Sequence, residues 1–279
     1  MRVRDENGDR VCFLSGHRVV VGDEVQWVEA PGSGGKITAV NSRQTCLRRL
    51  DHKGREQVLA ANIEGLLIVD TGSAPPLNPV MLDRFLLYGA RDGLGVALVL
   101  NKCDLEIFES VRTNIAIREP LGLQVLFTST VTDGGLEPLN AFMAEKSGPW
   151  ALVGRSGVGK TSLISGLLPQ QDVGPVGDMS EYWGTGRHTT TRACLFTLPH
   201  GGELVDSPGI RQFIPGGLTS EICARHFPGI GDLPCKYRNC LHRPDEEGCA
   251  ASEHAEPALL SSYRTLFEEL VAFERRHKR

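Results

Sequence analysis

No stretch of the 279-residue chain approaches the run of about 18 apolar residues that a membrane helix needs. Met1-Arg2-Val3-Arg4-Asp5-Glu6 also lacks the apolar centre of a secretory signal. The expected location is the cytoplasm, with no membrane partner. A charge excess of one sign is missing too. Lys and Arg number 30 against 34 Asp and Glu, a net −4, so any pull toward nucleic acid has to come from a local patch. The eight cysteines are too few and too uneven for a disulfide framework. Three of them bunch between 235 and 249, which favours a metal in a reducing compartment. With 41% hydrophobic residues the chain can fill real cores, and its length allows two or three domains.

The clearest signal is Gly154-Arg155-Ser156-Gly157-Val158-Gly159-Lys160-Thr161, directly after the apolar run Trp150-Ala151-Leu152-Val153. It fits the phosphate-loop pattern G-x-x-x-x-G-K-[ST]. Glycines at 154, 157 and 159 let the backbone curl until successive N–H groups point inward and form an anion nest. A helix from about Gly159 through Ser162-Leu163-Ile164 adds its positive N-terminal end. Lys160 is expected on the outer phosphates and the Thr161 hydroxyl on Mg²⁺.

Along the chain, residues 1–61 alternate short apolar runs with glycine: 10–14, 18–21, 23–28 and 35–40. That spacing predicts a small β-barrel. Between Lys36 and Arg55 the bases Lys36, Arg43, Arg48, Arg49, Lys53 and Arg55 face one acid, Asp51, a local +5. Such a patch is either a solvated face or a surface for a phosphate backbone. From residue 62 the strands become apolar throughout (66–69, 96–100, 124–127, 150–153), with helical spacing near 79–92, 105–118 and 135–146. This is a βαβ series. Pro79 and Asp104 are expected helix starts. Strands at 193–198 and 203–205 complete a doubly wound, mostly parallel sheet. Past Pro215 the pattern stops, and a helix from Pro257 runs to the basic end 275–279, which either complements the helix dipole or contacts RNA.

Asn101-Lys102-Cys103-Asp104 ends an apolar strand, where a carboxylate can accept from both guanine N1–H and its 2-amino group. The alternative for Asp104 is a helix N-cap. Thr128-Ser129, at the next strand end, offers a backbone N–H for guanine O6. Asp206-Ser207-Pro208-Gly209 has the D-x-x-G form, with Asp206 expected near Mg²⁺ and the Gly209 N–H at the γ-phosphate. Within 186–191 one of three threonines completes the Mg²⁺ shell while the γ-phosphate is present, and Thr190 is favoured. Ile210 stands where some GTPases place a water-orienting glutamine. His188 is the candidate for that task, an ordinary surface histidine the alternative. Cys235, Cys240, His242 and Cys249 form C-x4-C-x-H-x6-C, a set for one closed structural Zn²⁺. The remaining cysteines are expected in cores.

The nucleotide motifs run in the order Asn101–Asp104, 154–161, 186–191, 206–209, a circular permutation of the Ras-like order. With a barrel before them and a three-cysteine, one-histidine module after, the chain resembles the RsgA (YjeQ/EngC) family of small-subunit assembly GTPases. The resemblance implies a multidomain α/β chain. An OB-like RNA-binding barrel at 1–61, short at its start, precedes a circularly permuted P-loop GTPase core at 62–214 and a zinc-binding module with a helix at 215–279. It implies GTP hydrolysis to GDP, stimulated by the small (30S) ribosomal subunit during late maturation, with contacts to 16S rRNA. It also carries over Lys160, Thr190 and His188 as catalytic. Asn101, Lys102, Asp104, Ser129, residues 154–162 (Gly154, Arg155, Ser156, Gly157, Val158, Gly159, Lys160, Thr161, Ser162) and Gly209 carry over for GTP. Thr161, Thr190 and Asp206 carry over for Mg²⁺, and the Cys235, Cys240, His242, Cys249 set for zinc. A monomer is expected. The competing readings are a P-loop phosphotransferase, against which N-K-x-D argues, and an RNA-binding module insensitive to nucleotide.

Overall fold

In a computed structural model of the chain, residues 1–14, 16, 18–30, 34–50, 54–168, 193–206 and 216–277 are described. His188, Thr190 and Gly209 lie outside them, as do Lys53 and the last two residues of the basic end.

At the centre is a six-stranded sheet of order β11-β12-β10-β7-β8-β9: β7 Gly65–Thr71, β8 Gly95–Asn101, β9 Gln124–Phe127, β10 Pro149–Gly154, β11 Cys194–Thr197 and β12 Glu203–Asp206. All neighbours are parallel except the β11–β12 pair. The sheet is buried on both faces, which is why its strands read as unbroken apolar runs. Leu66, Ile68, Leu98, Leu100, Ala151 and Val153 point into one core, while Leu67, Val69, Ala97, Val99, Trp150 and Leu152 point into the other. The first core is covered by α1 (Pro79–Asp92) and α2 (Glu109–Arg118), the second by α3 (Glu137–Ala144) and α4 (Lys160–Leu167).

Helix α1 starts as expected, with Pro79 in its first turn and the Asn78 side chain accepting from Met81 N–H. Asp104 starts no helix. α2 begins five residues later at Glu109, so the carboxylate is left for other work. α1 and α2 are pinned by an ion pair in which Arg118 Nη2 lies 2.6 Å from Asp83 Oδ2, both side chains essentially without solvent exposure.

The N-terminal unit departs in detail from the expected runs. A four-stranded sheet of order β1-β2-β4-β3 contains β1 Arg2–Asp5, β2 Gly8–Phe13, β3 Val25–Ala30 and β4 Gly34–Val40. β1 is hidden in the sequence because three of its four residues are charged; its hairpin turns on Glu6-Asn7, with Gly8 already paired to Asp5. Residues 18–21 make only an isolated bridge, Val21 to Ala60. A separate hairpin, β5 Cys46–Leu50 with β6 Glu56–Ala61, sits against α1 and contributes Leu47, Leu59 and Ala60 to the first core. Tyr88 on α1 ties it down, its hydroxyl donating to Cys46 O and accepting from Arg48 N–H, both at 2.9 Å.

Beyond residue 215, α5 (Ser220–His226), α6 (Ala251–His254) and α7 (Pro257–His277) layer over α1, with Cys223, Phe227, Tyr263 and Phe267 joining the first core. No helix among the described residues is long and apolar enough to cross a membrane.

Candidate functional site

The order of the sheet reverses between β7 and β10. The carboxyl ends of those two strands open the crevice where doubly wound folds take ligands. The loop 154–159 emerges there, and α4 begins at Lys160. Glycine is needed at its two ends. Gly154 has φ +145° and a Cβ on it would run into Val69 O; Gly159 has φ +96° and a Cβ would run into Asn101 Nδ2. Lys160 is buried, its ammonium donating to Gly154 O at 2.7 Å and to Arg155 O at 2.5 Å. The cation is thereby centred over the first turn of the loop.

The segment 101–104 is locked to that loop. Asn101 Nδ2 donates to Val158 O at 3.0 Å, and Lys102, with φ +61°, sends its ammonium to Gly157 O at 3.0 Å. Asp104 Oδ1 accepts from the Ser129 hydroxyl at 2.6 Å, and Asn101 Oδ1 from the Thr128 hydroxyl at 3.3 Å. One strand end therefore orients both a carboxylate, aimed by a hydroxyl, and the nearby phosphate loop. The backbone N–H groups of Thr128 and Ser129 donate to Leu100 O and Gly135 O, both at 3.0 Å, so neither is left for guanine O6 as the sequence suggested. Ser129 instead contributes its hydroxyl, toward Asp104.

Asp206 is buried at the end of β12, and Thr161 stands exposed in the first turn of α4. Carboxylate and hydroxyl oxygens are the hard donors that Mg²⁺ takes. One residue at this crevice was not foreseen. Asp70, at the end of β7, is fully buried with Arg155 Nη2 at 2.7 Å. Only the alignment of β7 beside β10 brings the two together.

Cys235, Cys240, His242 and Cys249 converge on irregular backbone between α5 and α6, their ligand atoms all within 4.8 Å of one another. His242 Nδ1 lies 3.5 Å from Cys235 Sγ and 3.7 Å from Cys249 Sγ. About 3.5 Å is the N···S edge of a tetrahedron built on ordinary Zn–N and Zn–S lengths, so the set fits that ion. The N–H groups of His242, Ala250 and Ala251 point at the sulfurs of Cys240, Cys235 and Cys249, at 3.3–3.4 Å. Burial holds the His242 imidazole below its ordinary pKa, which favours the neutral ligating form. Burial, then neighbouring thiols, push the Cys240 thiol up to about 12, a crowding that a cation relieves.

Glu246, unforeseen from sequence, accepts from Leu241 N–H and Arg243 N–H at 3.0–3.1 Å and shapes the turn that carries His242. Burial opposes its charge, but those donors outweigh it and hold the carboxylate below its usual range. His254 is exposed and outside the set. Cys12, Cys46 and Cys223 are core residues as expected, whereas Cys103 at a strand end and Cys194 on edge strand β11 are only half-buried.

Residues 40–214 match the family description RsgA GTPase. A protein of Chromohalobacter salexigens described as small ribosomal subunit biogenesis GTPase RsgA is 38% identical, covering 97% of this chain and 82% of the relative. One of the same description from Haemophilus influenzae is 36% identical over 90% of this chain and 75% of its own. Among solved structures, YjeQ from Thermotoga maritima aligns with a TM-score of 0.73 at 26% identity, covering 96% of this chain and 92% of its own. YloQ, described as a circularly permuted GTPase, aligns with a TM-score of 0.71 at 20% identity over 98% and 91%, a likeness of fold. With more than half its length matched by the family and its relatives covered for most of theirs, this chain belongs to the RsgA GTPase family.

Proposed function

We propose that the protein hydrolyses GTP to GDP and phosphate as a switch on the small (30S) ribosomal subunit, during its late maturation and through contacts to 16S rRNA. The observation that carries this reading is the bonding of Asn101 and Lys102 to Val158 and Gly157, which makes a base-selecting strand end and a phosphate nest one unit. Asp104, aimed by Ser129, accepts from the guanine edge. The N–H groups of residues 154–162 and the Lys160 ammonium take the phosphates. Lys160, which leans on two loop carbonyls, transfers to the β- and γ-oxygens and offsets charge that grows on them in the transition state. Thr161, Asp206 and Thr190 would hold Mg²⁺, which neutralises phosphate charge when bound. Gly209 contacts the γ-phosphate and His188 orients water. The low intrinsic turnover expected without a glutamine at 210 fits a switch that its partner stimulates.

The division into 1–61, 62–214 and 215–279 belongs to the same reading, with the N-terminal unit on RNA and the last part organised by one structural zinc. Within the basic stretch, Arg43 is bound to Asp23 at 2.7–2.8 Å and Arg49 to Gln57 at 2.9–3.0 Å. Arg43 is thus a strut, and the rRNA-facing role falls to the other bases. The protein acts as a cytoplasmic monomer.

The test is GTP hydrolysis by the purified protein with and without small subunits, beside Asp104→Asn supplied with xanthosine triphosphate. Stimulation of ten-fold or more, with the variant preferring the xanthine nucleotide, is the expected outcome. Indifference to subunits removes the partner, and a variant still selective for GTP removes the base assignment.

A further inference from the structure

β7 and β10 run side by side with Val69 opposite Gly154, so the next residue of each strand, Asp70 and Arg155, falls at the mouth of the crevice. Asp70 is completely buried. Its Oδ1 accepts from Arg155 Nη2 at 2.7 Å and from Thr71 N–H at 2.9 Å, and its Oδ2 faces Asn78 N–H at 3.5 Å. The same Arg155 Nη2 also donates to the carbonyls of Pro75 and Pro76. Arg155 therefore joins three things: its guanidinium grips the loop after β7, its backbone is the second residue of the phosphate loop, and its carbonyl holds Lys160. A buried carboxylate carries a solvation penalty that only a specific partner offsets, and among the described residues its ion-pair partner is Arg155, drawn from the phosphate loop itself.

On the reading of 154–161 as a nucleotide phosphate site, we propose that Asp70 and Arg155 are a positioning pair that fixes the first turn of the phosphate loop and so sets affinity for the phosphate chain. Neither side chain touches the nucleotide in this role. The guanidinium is turned away from the nest, toward β7, with its charge matched by Asp70. What the pair controls is the direction of the Arg155 peptide. That peptide turns one face toward the nest and offers its oxygen to the Lys160 ammonium. When the tether is cut, the loop gains conformations, and the nucleotide must select the ordered one. The loss then falls on binding of the phosphates, in ground state and transition state alike.

The experiment compares Arg155→Gln, Asp70→Asn, the double variant and Arg155→Lys in the full chain. A fluorescent GDP analogue reports affinity, steady-state GTP hydrolysis reports KM and kcat, and thermal melting without nucleotide reports stability. Expected are an affinity loss of about ten-fold in each of the first two, a double variant no worse than the poorer single one, and recovery of most of the affinity in Arg155→Lys. KM should rise several times more than kcat falls. Affinities equal to wild type overturn the proposal. So do single losses that add in the double variant, or losses that simply track the fall in melting temperature. If the wild-type protein itself binds no GDP, the reading of 154–161 fails and the pair's role goes with it. Wild-type binding with indifferent variants sinks the pair alone.

Discussion

The nucleotide crevice and the cysteine–histidine cluster both hold polar groups within a few ångströms, yet by opposite means. In the crevice the groups sit at the ends of β7, β8 and β10, strands buried on both faces. Contacts such as Asn101 to Val158 O link one rigid end to the next. The geometry there is a consequence of the sheet. In the cluster, four ligands lie on irregular chain between short helices, shaped by Glu246 and N–H···S contacts and backed by Tyr263, whose hydroxyl donates to Leu241 O at 2.6 Å. There a metal held by the four ligands would complete the convergence. A pre-built site tolerates loss of its ligand, whereas a site built by its ligand does not.

The largest expected effect follows on the second side of that contrast. Structural zinc sites carry apparent binding energies of ~10–16 kcal/mol, comparable with the stability of a whole domain. Chelation, or Cys240→Ala, is expected to abolish zinc content and to expose the amides near Phe227 and Tyr263 to hydrogen exchange, while those of β7 and β8 stay protected. Retained protection throughout would erase the distinction. The pH dependence has a definite sign. The Cys240 thiol, pushed up by burial, must lose a proton to bind, so zinc affinity should fall progressively as pH is lowered, with the depressed His242 contributing little to that loss.

Lys160→Ala probes the first side. Removing one charged donor from a preorganised anion site costs roughly 100- to 1,000-fold in kcat/KM. The melting temperature is expected to move by only a few degrees, because the scaffold does not depend on the ligand. A collapse in melting would place Lys160 among the supports of the fold.

The smallest effect concerns an element that serves neither site. The Tyr88 hydroxyl anchors the β5–β6 hairpin, and burial pushes it up to about 12. Its protonated form is favoured in the folded state. The stability it gives is complete below pH ~10, the unfolded value, and is lost as pH rises through about 12. Tyr88→Phe is expected to cost about 1–2 kcal/mol by denaturant titration. It should flatten the alkaline loss and leave zinc content and GDP affinity unchanged. A change in either would make the hairpin part of a site.

Some of these residues are legible in the sequence and others are not, for definite reasons. The motif at 154–161 was legible because a tight anion nest demands glycine at fixed offsets, and chain order alone places strand before it and helix after. The buried strands were legible from uninterrupted apolar runs. Strand β1 and the hairpin β5–β6 were not, since β1 is mostly charged and the apolar residues of the hairpin are interrupted by Arg48, Arg49, Glu56 and Gln57, so that both gain strand structure from partners. Asp70 carries no spacing signal toward Arg155, 85 residues away. Glu246 looks like any surface acid until the backbone turns around it.

Local chemistry by itself marked the candidate residues: the glycines and Lys160, the strand-end Asn101–Asp104, and the C-x4-C-x-H-x6-C set. The residue types and their spacing are local, and the sequence states them directly. The tertiary structure alone decided which distant groups steady them. Asp70 meets Arg155 only where the strand order reverses, Ser129 turns its hydroxyl to Asp104 only because β8 and β9 are paired, and Tyr88 reaches the hairpin only across the face of α1. Such partners are fixed by packing between remote segments, and no short-range pattern encodes it.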